Sequence, residues 1–371
     1  MPLFINMTAQ PRIITSALTL CGALLFVPAI PAAASTPQNT DVVATLFSET
    51  KPQCIGRYII DVPVSFNNQL TNVITIDGFR IESKPLYLSA FQQRVILREK
   101  ELNDAIHQSG NKQENAPFVK EIIRLPENKG IIFDHNESET PDMYRQIEAH
   151  YYINNIAFII TTDIRDFSDP RHYEKKKKYL ARGFTEADAN NKNEKLIALQ
   201  SLISRLSGRQ DDAIPTEKGL CIPYGFIKDD AAVHKEKVSF SYENSDFNYG
   251  LDFSNTLKGS QDTLMNRGPE IEAVLAQTTL LRTIKKGAFN RGGINNQEWL
   301  IAGVKESNEL NATLPFFDFV LYANEDVGSP TKPWLAMALS NRDKKTQYNE
   351  AQMVEIWERL VNSLRYRPGA F

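Results

Sequence analysis

The chain is poor in cysteine and in charge imbalance: 371 residues carry three cysteines, and 42 lysines and arginines face 45 aspartates and glutamates. Three cysteines cannot build a disulfide-dense scaffold. A net charge of −3 gives no field strong enough to draw the chain onto nucleic acid or an anionic membrane. The five histidines, His107, His135, His150, His172 and His234, never stand three to five residues apart as helix-borne metal ligands do. No Gly-x-Ser-x-Gly elbow is present, and Gly259-Ser260-Gln261 lacks the second glycine. The glycines from Gly287 to Gly293 come without the lysine and hydroxyl of a phosphate loop and read as a long hairpin connection. The acidic pairs Asp211-Asp212 and Asp229-Asp230 read as solvated turns, with no apolar surroundings to raise a pKa. His150, beside Tyr151 and Tyr152 in an apolar strand, reads as a core histidine. No catalytic residue, metal site or cofactor is therefore assigned.

The one long apolar run is N-terminal. Arg12 precedes Ile13 to Val27, and Ala32, Ala33 and Ala34 follow Pro28, the pattern of an export signal cleaved after Ala34. A retained anchor is the alternative, but a spanning helix needs about 20 apolar residues, and Thr15, Ser16, Thr19 and Pro28 interrupt this one. Leu20 before Cys21 stands where a lipoprotein signal needs a small residue, so lipid anchoring is not expected. Removal of residues 1–34 leaves a chain with no membrane span, destined for the periplasm and holding only Cys54 and Cys221. In an oxidising compartment these either bond or stay as separately buried thiols.

Domains commonly run about 100 to 200 residues, and the polar stretch from Gln210 to Thr216 divides the remainder into 41–210 and 216–371. Both parts follow one plan. Each opens on a cysteine strand, at Cys54-Ile55 and Cys221-Ile222. A hairpin follows, marked by alternation of Ile74, Ile76, Phe79 and Ile81 around Asp77-Gly78 in the first part, and of Val238, Phe240, Tyr242, Tyr249, Leu251 and Phe253 around Asn244 to Asp246 in the second. Helical spacing then runs from Leu88 to Ile106 and from Ile271 to Leu275. Strands are predicted at 130–134, 146–151, 156–162, 298–304, 316–322 and 334–339. Each part closes on a helix, Leu199 to Leu206 before Arg209 and Ile356 to Leu364 before Arg367. Asp169-Pro170 starts an additional helix whose Lys175 to Lys178 read as a solvated face. The expected fold class is α+β, with two related domains, each a mostly antiparallel sheet with helices packed on one face. Coincidence of short patterns is the competing explanation of the repeat. Large side chains in loop sequence, Tyr144, Phe289, Arg291 and Asp326, are candidate partner contacts.

The openings Cys54 to Pro63 and Gly219 to Ile227, with the closing Leu360 to Pro368, resemble the N- and C-terminal domains of immunity proteins that neutralise type VI secretion lipases. The resemblance spans essentially all of the chain after residue 34. It implies a periplasmic protein that binds one cognate lipase effector, one to one, and clamps it so that its lid cannot open, with the catalytic serine on the lipase. The competing readings are an exported hydrolase with an unfamiliar active site and an envelope adaptor.

Overall fold

The computed structural model describes residues 39–68, 72–307 and 312–371. The export signal, its cleavage point at Ala34 and Cys21 lie outside the described residues.

A short helix, α1 (Asn39–Leu46), leads into the opening hairpin β1 (Thr50–Ile55) and β2 (Tyr58–Pro63). After the two-residue β3 (Asn67–Asn68) comes the hairpin β4 (Val73–Ile76) and β5 (Phe79–Pro85), turned by Asp77 and Gly78 with φ of 51° and 84°. Positive φ at both turn residues matches the twist of the flanking strands, which is why an Asp-Gly pair stands there. Then follow α2 (Leu88–Asp104), a four-strand meander β6 (Val119–Arg124), β7 (Gly130–Asn136), β8 (Tyr144–Ile153) and β9 (Ile156–Arg165), the helices α3 (Tyr173–Leu180), α4 (Glu186–Ala189) and α5 (Lys192–Arg205), and β10 (Leu206–Gly208). The second half runs through β11 (Gly219–Ile222), β12 (Gly225–Lys228), β13 (Glu236–Glu243), β14 (Asn248–Ser254), α6 (Gly268–Leu275), β15 (Leu281–Arg291), β16 (Ile294–Ser307), β17 (Ala312–Ala323), β18 (Trp334–Ser340), α7 (Glu350–Asn362) and β19 (Arg365–Tyr366).

One expectation is corrected. The halves do not carry separate sheets: one antiparallel sheet runs through both in the order β15-β16-β17-β18-β14-β13-β4-β5-β9-β8-β7-β6, with β3 also on β13. The join is β13 on β4, where Val238 faces Ile74 and Glu236 faces Ile76. Each half's hairpin would otherwise leave an unpaired edge, and pairing the two edges removes both. The outermost strands, β6 and β15, each carry a register irregularity and charged side chains, Lys120 and Glu121 on one, Lys285 and Lys286 on the other. Such bulges and charges discourage further strand addition.

The inner face of this sheet holds the main core. Ile60, Phe66, Ile147, Ile160, Phe240, Leu251, Phe319 and Met337 meet α5 through Leu199 and Leu202, and α7 through Met353, Ile356, Trp357, Leu360 and Val361. An Asn349–Gln352 capping box starts α7, satisfying amide donors that a helix start leaves open.

Two small sheets close this layer, and each is built from both halves: β1-β2-β19, whose last strand ends the chain, and β10-β12-β11, whose first strand ends the first half. Between them Cys54 and Cys221 form a disulfide. Alongside, Gly56 and Cys221 exchange backbone hydrogen bonds at 2.9 and 2.8 Å. Gly56 has φ of 58°, and a Cβ there would stand 2.4 Å from Phe253, so no other residue fits the crossing.

Three arginines fill the same junction. Arg209 gives its guanidinium to the carbonyls of Cys54, Ile222, Gly225, Asp211 and Ala213. Arg367 reaches the carbonyls of Pro215, Glu217 and Gly219, each at 2.7 Å. Burial lowers the pKa of both, Arg367 to about 10. Arg57 pairs with Asp229 at 2.8 Å and Glu236 at 2.7 Å and donates to Ala370. Asp229 and Asp230 are therefore ion-paired as well as partly solvated: Asp230, though exposed, sits between Arg205 and His234.

Loss of the disulfide by Cys54→Ser with Cys221→Ser frees a span of 167 residues and is expected to lower unfolding free energy by about 5 kcal/mol, read from urea denaturation. Burial pulls the His234 pKa down, but hydrogen bonds to Asp230 and Asp77 outweigh it and leave it raised. The stability it supplies is complete below the unfolded imidazole value of about 6.5 and is lost as pH rises through the folded pKa. The urea-midpoint gap between wild type and His234→Asn should therefore be wide at acid pH and close at alkaline pH.

Candidate functional site

Residues directly opposite across antiparallel strands share a face, so the register assigns the outer face of the sheet strand by strand. It runs from Glu148 and His150 on β8, through Ile159 and Thr161 on β9, Arg80 and Glu82 on β5, and Thr75 on β4. It continues with Lys237 and Ser239 on β13, Gly250 and Asp252 on β14, Ala336, Ala338 and Ser340 on β18, and Asp318, Val320 and Tyr322 on β17. Trp299 and Ile301 on β16 complete it.

Helices cover only the two ends of this face. At one end α2 packs Val95 and Leu102 onto Ile131 and Phe133, and Phe91 against Tyr152. At the other, α6 sets Ile271 and Leu275 over Trp299 and Ile301, with Gly268 directly above the indole, where a Cβ would stand 3.2 Å away. Between these walls the outer side chains of β5, β4, β13, β14, β18 and β17 are exposed or half-buried. Many of them are short, at Thr75, Ser239, Ser241, Gly250, Ala336, Ala338 and Ser340, with Arg80, Glu82, Lys237, Asp252 and Asp318 standing among them. At about 4.8 Å per strand the opening is about 25 Å wide. The result is a trough with a small-residue floor and helical walls.

The α2 wall is undercut by a cavity of about 560 Å3 lined by Glu82, Arg94, Leu97, Arg98, Glu148 and His150. Its base is a tightly held carboxylate. Glu148 receives Arg98 at 2.9 and 2.7 Å and lies 2.6 Å from His150 and 3.4 Å from His135. Burial alone would raise its pKa, yet the hydrogen bonds from His135, His150 and Arg98 hold it well below the usual range. The outer surface of α2 is apolar at Leu88, Ile96 and Leu97, of which Ile96 is 66% exposed. At the foot of the opposite wall Trp334 stacks on Tyr322 at 5.8 Å, and Arg267 covers the same phenol while pairing with Glu325 at 2.9 Å. Rigid aromatics beside an exposed aliphatic ridge and a polar floor suit recognition of a protein surface. Among the described residues no group of histidine, cysteine or carboxylate side chains could hold a metal ion, and no helix is long and apolar enough to cross a membrane.

Of the residues singled out in the sequence, Cys54 and Cys221 are brought together. Tyr144 begins β8 on the outer face, 38% exposed, with Phe167 against its ring. Asp326 is exposed in the connection after β17. Phe289 and Arg291 are not in a loop: β15 runs through both, and only Gly292 and Gly293 make the turn. Arg291 is consumed internally, donating to Glu298 at 2.8 Å and lying over Phe289. The lysines of α3 lie on a largely exposed helix, with Lys176 paired to Glu186. The trough floor was not singled out. Its signal was the other half of the alternation: Ser239 and Ser241 between Val238, Phe240 and Tyr242, and Ala336 and Ala338 between Leu335, Met337 and Leu339.

Sequence profiles of the Tle cognate immunity protein 4 N-terminal domain and C-terminal domain match residues 51–209 and 213–369. The fold is similar to that of immunity protein TplEi of the T6SS from Pseudomonas aeruginosa in its apo form, with a TM-score of 0.65 and 17% identity over 86% of this chain and 98% of that one. It is also similar to a chain of the Tle4–Tli4 complex, with a TM-score of 0.66 and 17% identity over 87% of this chain and 99% of that one. Among curated proteins none matches by sequence.

Glu148→Gln leaves Arg98, His135 and His150 facing an amide under the α2 wall. Breaking one side of a buried ion pair is expected to cost about 3–5 kcal/mol, measured by urea denaturation.

Proposed function

The chain belongs to the Tle cognate immunity protein 4 family, in both its N- and C-terminal domains, and from that membership we propose that it binds and inhibits a Tle4-type lipase effector of the type VI secretion system in the periplasm. The family is one of immunity proteins, and the chain is not an enzyme. The observation that carries the reading is the uncovered trough between α2 and α6. Its floor, about 25 Å wide and about 20 Å long, offers roughly 500 Å2, and the walls bring it to the order of 800 Å2 that a partner contributes to a standard interface.

The halves divide at Gln210 to Thr216 and serve as two arms, one ending in the α2 wall and the other in the α6 wall. A lipase seated between rigid walls and held one to one cannot move its lid, so inhibition restricts a conformational step and needs no chemistry from the inhibitor. Tyr144, on the same outer face, and Asp326, beyond the far end of β17, are contacts at the margins. The buried Cys54–Cys221 bond suits an oxidising compartment.

The lipase encoded beside this chain should co-purify with it and lose activity in the complex. Failure to bind or inhibit any neighbouring lipase would contradict the proposal. Ala338→Arg, on the trough floor, should weaken binding by about a hundredfold, or about 3 kcal/mol, with the melting temperature unchanged. Ile197→Arg, on the exposed side of α5 and 69% exposed, should leave binding unchanged. Full-strength binding by the Ala338 variant would place the interface elsewhere.

A further inference from the structure

Among the described residues the buried carboxylates are matched. Glu148 holds Arg98, Glu236 holds Arg57, Glu298 holds Lys285 and Arg291, and Asp134 holds Arg145 and Lys192. Even on the trough floor, Asp252 accepts from Ser239 at 2.8 Å. Asp318 departs from this rule. Its side chain, half-buried in the floor, makes no hydrogen bond or ion pair with any described residue.

Its surroundings leave the charge isolated. Ile301 stands opposite on β16 and Ser340 on β18. Phe316 and Val320 flank it on its own strand, on the same face. The groups that act on it or lie along the floor are Arg342 past the end of β18, the Tyr322 phenol two pleat repeats further along β17, and Asp252 two strands away. Burial pushes the Asp318 carboxyl up to about 6, and Arg342 offsets only part of this. An asparagine or a small apolar residue would fit the same floor without that penalty. Ala336, Ala338 and Gly250 leave room beside it for a long side chain to lie down.

Resting on the lipase-binding reading above, we infer that Asp318 is the anchor in the trough floor for a lysine or arginine side chain presented by the lipase. The arriving cation supplies the ion pair that the free protein lacks, and the walls exclude water from it. A group that destabilises the free chain and strengthens the complex has a signature that a structural residue does not share.

The test uses the full chain and the lipase encoded beside it, comparing wild type with Asp318→Asn by calorimetry and thermal denaturation. The variant should bind about 10- to 100-fold more weakly while melting at the same temperature or higher. Wild-type affinity should fall about tenfold from pH 7.5 to pH 5, because a carboxyl near 6 when free and near the ordinary aspartate value when paired takes up a proton as the complex separates. The variant should lack that portion of the pH dependence. Equal affinity, an unchanged pH slope, or weaker binding with a lowered melting temperature would each overturn the anchor while leaving lipase binding intact. If wild type itself does not bind, the parent reading falls, and the anchor falls with it.

Discussion

The structure depends on how the ends of each half are locked into the other. Arg209 and Arg367 carry buried guanidiniums whose direct partners are almost all carbonyl oxygens. A guanidinium offers five donors in one plane and cannot shed its charge at neutral pH. Once desolvated it requires several acceptors at fixed directions. Those acceptors come from the opening hairpins and the 210–217 connection: Arg209, ending the first half, orders the start of the second at Ile222 and Gly225, while Arg367 ties the end of the second half to its own start at Glu217 and Gly219. The strands β10 and β19 each cross to the other half in backbone hydrogen bonds, and the disulfide fixes the crossing covalently. None of these contacts is strong enough alone to define the assembly; their convergence on one junction leaves the halves a single arrangement.

That arrangement makes the β13–β4 pairing the join of one sheet through both halves, and it holds α2 and α6 at opposite ends of one surface. Two freely hinged domains would have to order themselves on binding and would lose affinity in doing so. A prelocked pair does not. The inner face of the sheet is fully occupied by α5, α7 and the small sheets, so the outer face between the walls is what remains for a partner. The small floor residues follow from the same geometry: an uncovered sheet has no core to fill, and short side chains let another surface approach the backbone closely. Asp318 belongs to this pattern, since an unpaired carboxylate whose nearest floor neighbours are Ile301, Ser340, Phe316 and Val320 is a poor choice for folding and a good one for recognition.

Much of the architecture was legible in the sequence because it is local. Alternation at Val238, Phe240 and Tyr242, the Asp77-Gly78 turn, and the helical spacing before Arg209 and Arg367 are set by neighbours in the chain, and each gives the element it signals. The single sheet was not legible, because the β13–β4 pairing joins residues more than a hundred and fifty apart and nothing in either strand names its partner. Arg209 and Arg367 were visible as matching ends of a repeat, but their role requires the carbonyls of Cys54 and Gly219, which lie 155 and 148 residues away along the chain. Gly287 to Arg291 misled in the other direction: glycine at Gly287 and Gly292 suggested a loop, whereas the strand tolerates Gly287 and only Gly292 and Gly293 turn. The floor carries no signal of its own beyond the alternation, since small residues between the apolar ones of a strand are what any exposed sheet face can show.

The central claim is that the trough between α2 and α6 receives the lipase. Hydroxyl-radical footprinting of the free chain and of its complex with the adjacent lipase tests this most directly, since Leu97 on one wall and Tyr322 and Trp334 on the other are oxidisable and half-buried or exposed. Joint protection of all three in the complex, with Tyr173 on α3 unchanged, is the predicted result. Protection confined to α3 or to α5, with the two walls as reactive as before, would contradict it.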